Sequence, residues 1–509
     1  MLRTDSIPKS TSLLVVCSTV IAVLMLMTLE SPAQVNQQSK TVRVFILAGQ
    51  SNMQGHGVVD LDHPEHYNGG KGNLESAMKK KANSKRMRHL KGSNGNWSVR
   101  DDVFCWYQTE NELKTGGLTI GFSGYSGAPH HFGPELQLGH VLGDAFDDPV
   151  LLIKTAWGGK SLANDFRPPS SKAELGPYYI KMLRQIGAAI NQFESKIPQL
   201  KGYKPIIEGF VWQQGWNDMI DDQATAEYEQ NLRHLISDLR QQFGVDGLPF
   251  VIGELGNGGE KTNQKMKRFR AAQMAAARHG DRNVAFVKTT HCARPANQSP
   301  NQGHGHHWFG NAESYFFLGE ALGLQMVDLI ESRGKPRVLI LGDSISIGYT
   351  PFVKRMMPEF FVTRPMRGKN AENCSGTDKG IQEIDRWIHI SGGNWDVIHF
   401  NFGLHDLKHV DAESGKNSNN PDDPLQSPPK DYERQLQEIV DKLKATKAKS
   451  IFCTTTPVPP GCKPLRETTS PAIYNQIGIR IAEKNGIAIN DLYHYAESRL
   501  EEIQIPSNV

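Results

Sequence analysis

Apolar residues in this chain fall into short unbroken runs that stop at small or polar residues, with stretches of helical periodicity between them. The first run, residues 42–48 (VRVFILA), ends in Gly49-Gln50-Ser51-Asn52. A continuous apolar run bounded in this way predicts a strand buried on both faces, as in a parallel sheet. Similar runs at 150–155, 206–212, 249–254 and 284–287 alternate with helical patterns at 135–143, 178–194, 225–243, 263–279 and 312–331. Strand alternating with helix predicts a parallel sheet with helices on both faces. After a short linker at 332–336 (SRGKP) the pattern begins again, with strands at 338–341, 397–400, 450–454 and 487–489 and helices at 347–357, 379–389, 432–448, 471–485 and from 493 onward. The fold expected is therefore α/β: two tandem doubly wound domains, at 41–332 and 335–509. Residues 55–119 are rich in Gly, Asn, Lys and His, show weak periodicity, and read as an insertion over one face of the first unit, adjoining its site.

Length agrees with this division, since 509 residues exceed what one ordinary core organises. The formal charge of +3 is spread along the chain, and its densest basic run, residues 79–91, lacks interleaved aromatic residues. That argues for a solvated face and against a nucleic-acid surface. The N-terminus changes the picture more. Arg3 and Lys9 precede an apolar segment at 12–29, and Ser31-Pro32-Ala33 supplies small residues for cleavage. This is the layout of a secretory signal cut after Ala33, with an uncleaved anchor as the alternative, so a secreted or periplasmic protein with no stable span after cleavage is expected. Five cysteines remain beyond that segment, and Cys105 with Cys292 or Cys453 with Cys462 are possible bridges. No Cys/His spacing marks a structural metal, and no cofactor is called for.

Candidate chemistry gathers at strand ends. In a parallel sheet the carboxyl ends open on one edge, where such folds bind ligands. In the first unit those ends carry Ser51, Gly159, Asn217 and Glu254, and His307 lies in the loop after the fifth strand. A nucleophilic serine needs a base, a carboxylate to orient the base, and donors for the oxyanion. His307 can be the base; the N–H groups of Ser51 and Gly159 and the amide of Asn217 can be the donors. Blander readings stand beside these. Ser51 can cap a helix, Asn217 can be a turn residue, Trp157, Trp212 and Trp216 can be packing residues instead of sugar platforms, and His304, His306 and His307 can be a solvated loop or a metal site.

The segments Gly49-Gln50-Ser51-Asn52-Met53, Ala156-Trp157-Gly158-Gly159 and Trp212-Gln213-Gln214-Gly215-Trp216-Asn217-Asp218, together with His307, resemble the blocks of the SGNH/GDSL hydrolase superfamily. More narrowly they resemble the sialate O-acetylesterase domain and the acetylxylan esterases of carbohydrate esterase family six. The resemblance covers residues 41–330. It implies a serine esterase removing acetyl groups from oligo- or polysaccharides, with Ser51 as nucleophile, Gly159 and Asn217 as oxyanion donors and His307 as base. One block departs: the superfamily's Asp three residues before the histidine is His304 here, and Glu254 is the candidate for the missing acid.

The second unit also resembles an SGNH/GDSL hydrolase, through Gly342-Asp343-Ser344, Gly376 and Gly403-Leu404-His405-Asp406, with His405 where Asn is usual. An imidazole N–H can also donate to an oxyanion. Asp491 and His494 have DxxH spacing but in an unusual place. The expectation is that the sequence ends before the true histidine of this unit, leaving apolar sheet surface uncovered. Two rival readings complete the set: a carbohydrate-binding accessory that kept the fold and lost the chemistry, and a GDSL-type lipase.

Overall fold

The computed structural model describes residues 40–500 apart from 126–128, 279 and 368–369, and the expected signal segment lies outside these described residues. From Thr41 onward the chain is one compact unit built on two sheets. The first sheet has seven strands: β1 (Thr41–Gly49), β2 (Val103–Gln108), β3 (Leu113–Gly117), β4 (Val150–Ala156), β5 (Lys204–Gln213), β6 (Phe250–Gly253) and β7 (Val284–Val287), in the order β3-β2-β4-β1-β5-β6-β7. All neighbours pair in parallel except β2 with β3, which form an antiparallel hairpin at one edge. The second sheet comprises β8 (Arg337–Leu341), β9 (Phe361–Thr363), β10 (Val397–Phe400), β11 (Lys449–Cys453) and β12 (Ala488–Asn490), all parallel, in the order β9-β8-β10-β11-β12.

The unbroken apolar runs are explained by helices on both faces of the first sheet. Alternate residues of β1, β4 and β5 (Val44 and Ile46, Leu151 and Ile153, Phe210 and Trp212) pack against α3 (Pro177–Lys196) and α5 (Asp222–Phe243). Their neighbours (Phe45 and Leu47, Leu152, Val211) pack against α2 (Glu135–Ala145) and α7 (Ala312–Glu331). Burying each such side chain contributes about 1.5–3 kcal/mol. The chain leaves β1 toward one side of the sheet and returns after β4 to the other, so the carboxyl end of β1 is the switch point where a crevice opens. Gly49 pairs with Ala156 on one side and Gln213 on the other, so the three strands end flush.

Two sequence expectations are revised. The insertion contains β2 and β3 as well as two short helices, Leu74–Lys79 and Lys81–Met87, whose Leu74, Ala77 and Met87 join the α7-side core. The possible bridges are not formed: Cys105, Cys292, Cys374, Cys453 and Cys462 are all buried free thiols.

The second sheet is covered unequally. One face packs its Leu339, Leu341, Ile398, Phe400 and Phe452 against α9 (Thr377–Trp387), α10 (Pro429–Ala445) and α11 (Ser470–Lys484). The helix after β8, α8 (Ser344–Met356), buries only Ser346 and Thr350, and its Phe352 and Met356 are 58% and 80% exposed. Among the described residues no helix is long and apolar enough to cross a membrane.

Candidate active site

Ser51 opens a one-turn helix, α1 (Ser51–Gln54), directly beyond β1. The turn requires glycine at position 49, where φ is +150° and a Cβ would lie 2.1 Å from the Gln213 carbonyl. Beneath this turn, the buried Lys154 of β4 donates to the carbonyls of Gln54 and Phe122 at 3.0 and 2.7 Å and pairs with Glu135 of α2 at 2.7 Å. The Ser51 turn is thus held from below by a desolvated ion pair.

Gln50 sets the orientation of a neighbouring side-chain amide. Its Oε1 accepts from the Gly215 N–H at 3.0 Å, which leaves its Nε2 donating to Asn217 Oδ1 at 3.1 Å. Asn217, in the short helix α4 (Trp216–Met219), lines the cavity, and with its Oδ1 engaged by Gln50 its Nδ2 carries the amide's donors. The next residue, Asp218, is buried and accepts from the N–H groups of Leu162 and Ala163 at 2.9 and 2.8 Å and from Gln214 at 2.6 Å. Burial pushes its carboxyl up to about 6. This clamp ties the loop after β4, which carries Gly158 and Gly159, to the loop after β5. Ser51, Gly159, Asn217 and His307 line one cavity of about 290 Å³, together with Gln50, His56, Tyr125, Trp216 and His306. Among the described residues Ser51 and His307 share this cavity without a hydrogen bond between them, and catalytic pairs often tighten only around substrate.

The histidine loop is bolted to the Ser51 turn. Asn52 Nδ2 donates to the His306 carbonyl at 3.1 Å, Tyr315 donates to Asn52 Oδ1 at 2.9 Å and reaches the His307 carbonyl at 3.2 Å, and Asn257 donates to the carbonyls of Gly305 and His306. His307 is half-buried; burial, then the neighbouring His306 and His304, push it down to about 3, so the ring is neutral. Its Nδ1 is buried without a partner. Glu254 does not supply one: its Oε2 accepts from the N–H groups of Thr289 and Thr290 at 2.7 and 3.1 Å, and the carboxylate is turned to the β6–β7 edge instead of the cavity. Burial raises its pKa. Among the described residues no histidine cluster is arranged to hold a metal ion.

Residues 41–327, more than half of the chain, match the family model described as carbohydrate esterase, sialic acid-specific acetylesterase. The chain belongs to this family. The esterase is accordingly a carboxylic ester hydrolase. A comparison with curated protein sequences found no match. Among solved structures, the esterase is similar to a protein from Arabidopsis thaliana (16% identity, 56% of this chain and 98% of that one, TM-score 0.36). It is also similar to a carbohydrate acetylesterase from Xanthomonas citri (12%, 55% of this chain and 56% of that one, TM-score 0.32) and to an acetyl xylan esterase (17%, 34% and 84%, TM-score 0.26).

In its second lobe the esterase repeats part of this arrangement. Ser344 starts α8, with Asp343 accepting from the Ile345 N–H at 3.0 Å; the serine is exposed. Gly376 lies against Asp406, which accepts from the Thr377 N–H and hydroxyl at 2.7 and 2.6 Å, the counterpart of the Asp218 clamp. Burial pushes Asp406 up to about 7 and His405 down to about 4. Asp491 and His494 pair at 2.5 Å on the surface, and that contact raises the histidine. No hydrogen bond links Ser344 to His405 or to His494 among the described residues, and the nearby cavity, lined by Asp343, Ile345, Ser346, Leu404 and Leu492, is only about 10 Å³.

Gln50, His56, Lys154 and Asp218 were not singled out in the sequence as site residues. Lys154 carries the clearest signal, a lone lysine inside the apolar run VLLIKTA, which must find an acid partner if that run is a buried strand.

Proposed function

We propose that the esterase removes O-acetyl groups from acetylated oligo- or polysaccharides through an acetyl-Ser51 intermediate. The observation that carries this reading is the convergence of Ser51, Gly159, Asn217 and His307 on one cavity, with the Asn217 amide oriented by Gln50. The Ser51 oxygen attacks the acetyl carbonyl carbon while His307 takes its proton. The oxyanion forms against the N–H groups of Ser51 and Gly159 and the Asn217 amide. The bond to the sugar oxygen then breaks, and that oxygen receives the proton from His307. Water, deprotonated by His307, attacks the acetyl-serine carbonyl; the bond to the Ser51 oxygen breaks, that oxygen takes the proton back from His307, and acetate leaves.

We assign the candidate oxyanion role in the second lobe to Gly376 and His405, beside Ser344. The N-terminal signal layout supports export, and the linker at 332–336 supports two units, 41–332 and 335–509. The test is acetate release from acetylated xylan and from 9-O-acetyl sialic acid. Wild type is expected to release acetate from at least one, and Ser51→Ala to lose at least about 10³-fold in kcat. Release no greater than the Ser51→Ala background would favour the accessory reading, to which the unpartnered Nδ1 of His307 points.

A further inference from the structure

We propose that His56 is a positioning residue for His307, its ring acting as a plate that holds the base's imidazole where no carboxylate does so. The inference rests on the reading above, with Ser51 as nucleophile and His307 as base. A triad histidine must keep one orientation while it takes and returns a proton, and a carboxylate on Nδ1 usually holds it. Here that nitrogen is unpartnered, Glu254 is engaged by Thr289 and Thr290, and His304 stands edge-on to the ring at 6.2 Å and 87°. The group lying flat on His307 is His56, with ring centroids 3.6 Å apart and an interplanar angle of 30°.

His56 is itself firmly placed. The residue is 5% exposed, and Tyr125 stands edge-on against its ring at 4.0 Å and 80°. The preceding Gly55 has a φ of +94° and packs so closely on Gly133 that a Cβ would come within 2.6 Å. The titratable groups around His56 are His307, His131, His306, His304 and Tyr125, and burial first, then these histidines, hold His56 far below its ordinary range. It therefore presents a neutral π face. When His307 takes the Ser51 proton, the resulting imidazolium lies over that face, an arrangement that favours the cation without needing a hydrogen bond. Through one contact His56 fixes the ring plane and supports its charge.

Two substitutions separate a stacking plate from simple filler. His56→Phe keeps a flat ring, whereas His56→Leu occupies the space without one. With acetylated xylan or 9-O-acetyl sialic acid as probe and the full chain as enzyme, Phe should keep kcat within about threefold of wild type, while Leu should lower kcat about tenfold with KM unchanged. Equal turnover by Phe and Leu, or an effect confined to KM, would overturn the proposal. A wild type no more active than Ser51→Ala would instead retire the esterase reading, a distinct result. A measurement on the unsubstituted protein guards against variants that fail to fold. The His307 ring protons should be shifted upfield by the His56 ring in proton NMR, and resonances at the position of an exposed histidine would remove the plate.

Discussion

Glu254 sits at the end of β6 with its carboxylate turned to two backbone N–H groups, and that choice of partner decides what a substitution there does. If it completed a triad, Glu254→Gln would cost about 10⁴ in kcat; the observed contacts instead predict a change under about threefold, measured by steady-state acetate release. The amide oxygen of Gln can still accept from Thr289 and Thr290, so the visible effect should be on thermal stability. Ser51, Gly159, Asn217 and His307 were legible in the sequence because each follows a strand in a recognisable block, and the structure brings all four to one cavity. Gln50, His56 and Asp218 were not, because their roles depend on partners distant in sequence: Gln50 on Gly215 and Asn217, His56 on His307, and Asp218 on Leu162 and Ala163. No local pattern encodes such pairings.

At the level of elements, the strands buried on both faces were read almost to the residue, β4 and β7 among them, since an unbroken apolar run has no other comfortable fate. The misses have physical causes. The strands β2 and β3 lie inside a polar insertion, and β3 is an antiparallel edge strand, half-buried throughout, where alternation is weak. The three-residue β9 is too short to carry any period. Lys154 of β4 shows how one element supports another. It joins β4 to α2 through Glu135 and to α1 through the Gln54 carbonyl, all in the dry interior. Lys154→Met would leave Glu135 buried and uncompensated, at a cost of about 3–5 kcal/mol, whereas Lys154→Met with Glu135→Leu should recover much of that loss. Denaturant unfolding of the two variants provides the comparison, and equal loss in both would contradict the pairing argument.

Over the whole molecule, the two lobes meet through charge as much as through apolar contact. Arg282, after α6 (Gln264–Ala277) of the first lobe, forks onto both oxygens of Asp396 in the second at 2.8 and 2.7 Å, and Asp396 also accepts from the Arg337 N–H at 2.8 Å. Ser391 of the second lobe donates to Asp328 of α7, whose burial pushes it up to about 6. Buried titratable groups on both lobes set the response to pH. Burial lowers His140 and His307 to about 3, His399 and His405 to about 4, and His56 further. Each is neutral in the fold while the unfolded chain would bind a proton below 6.5, so their stability is complete above pH 6.5 and is lost as pH falls. Asp218, Asp328 and Asp406, raised to about 6, 6 and 7, act in the opposite sense, because the fold keeps their protons above 3.8 and loses that advantage as pH rises. The histidines outnumber them. The free energy of unfolding should therefore rise between about pH 4 and 6.5, which urea titrations across that range will show; a flat or falling profile would contradict the assignment of these histidines as neutral.

The Gln50 side chain carries one last consequence. Because a backbone N–H can only donate, the amide of Gln50 has a single workable orientation, and it passes that orientation on to Asn217. The sign of the electrostatic potential that Asn217 presents is thus chosen by the residue just before Ser51. Gln50→Glu exchanges one heavy atom, nitrogen for oxygen, and alters no shape. Yet a carboxylate would accept from Gly215 and from Asn217 alike, rotating the Asn217 amide so that oxygen, not nitrogen, faces the developing charge. An intact, folded enzyme with kcat lower by about 10²–10³ and substrate affinity little changed is the expected result, since a donor would have become an acceptor with the cavity's outline preserved.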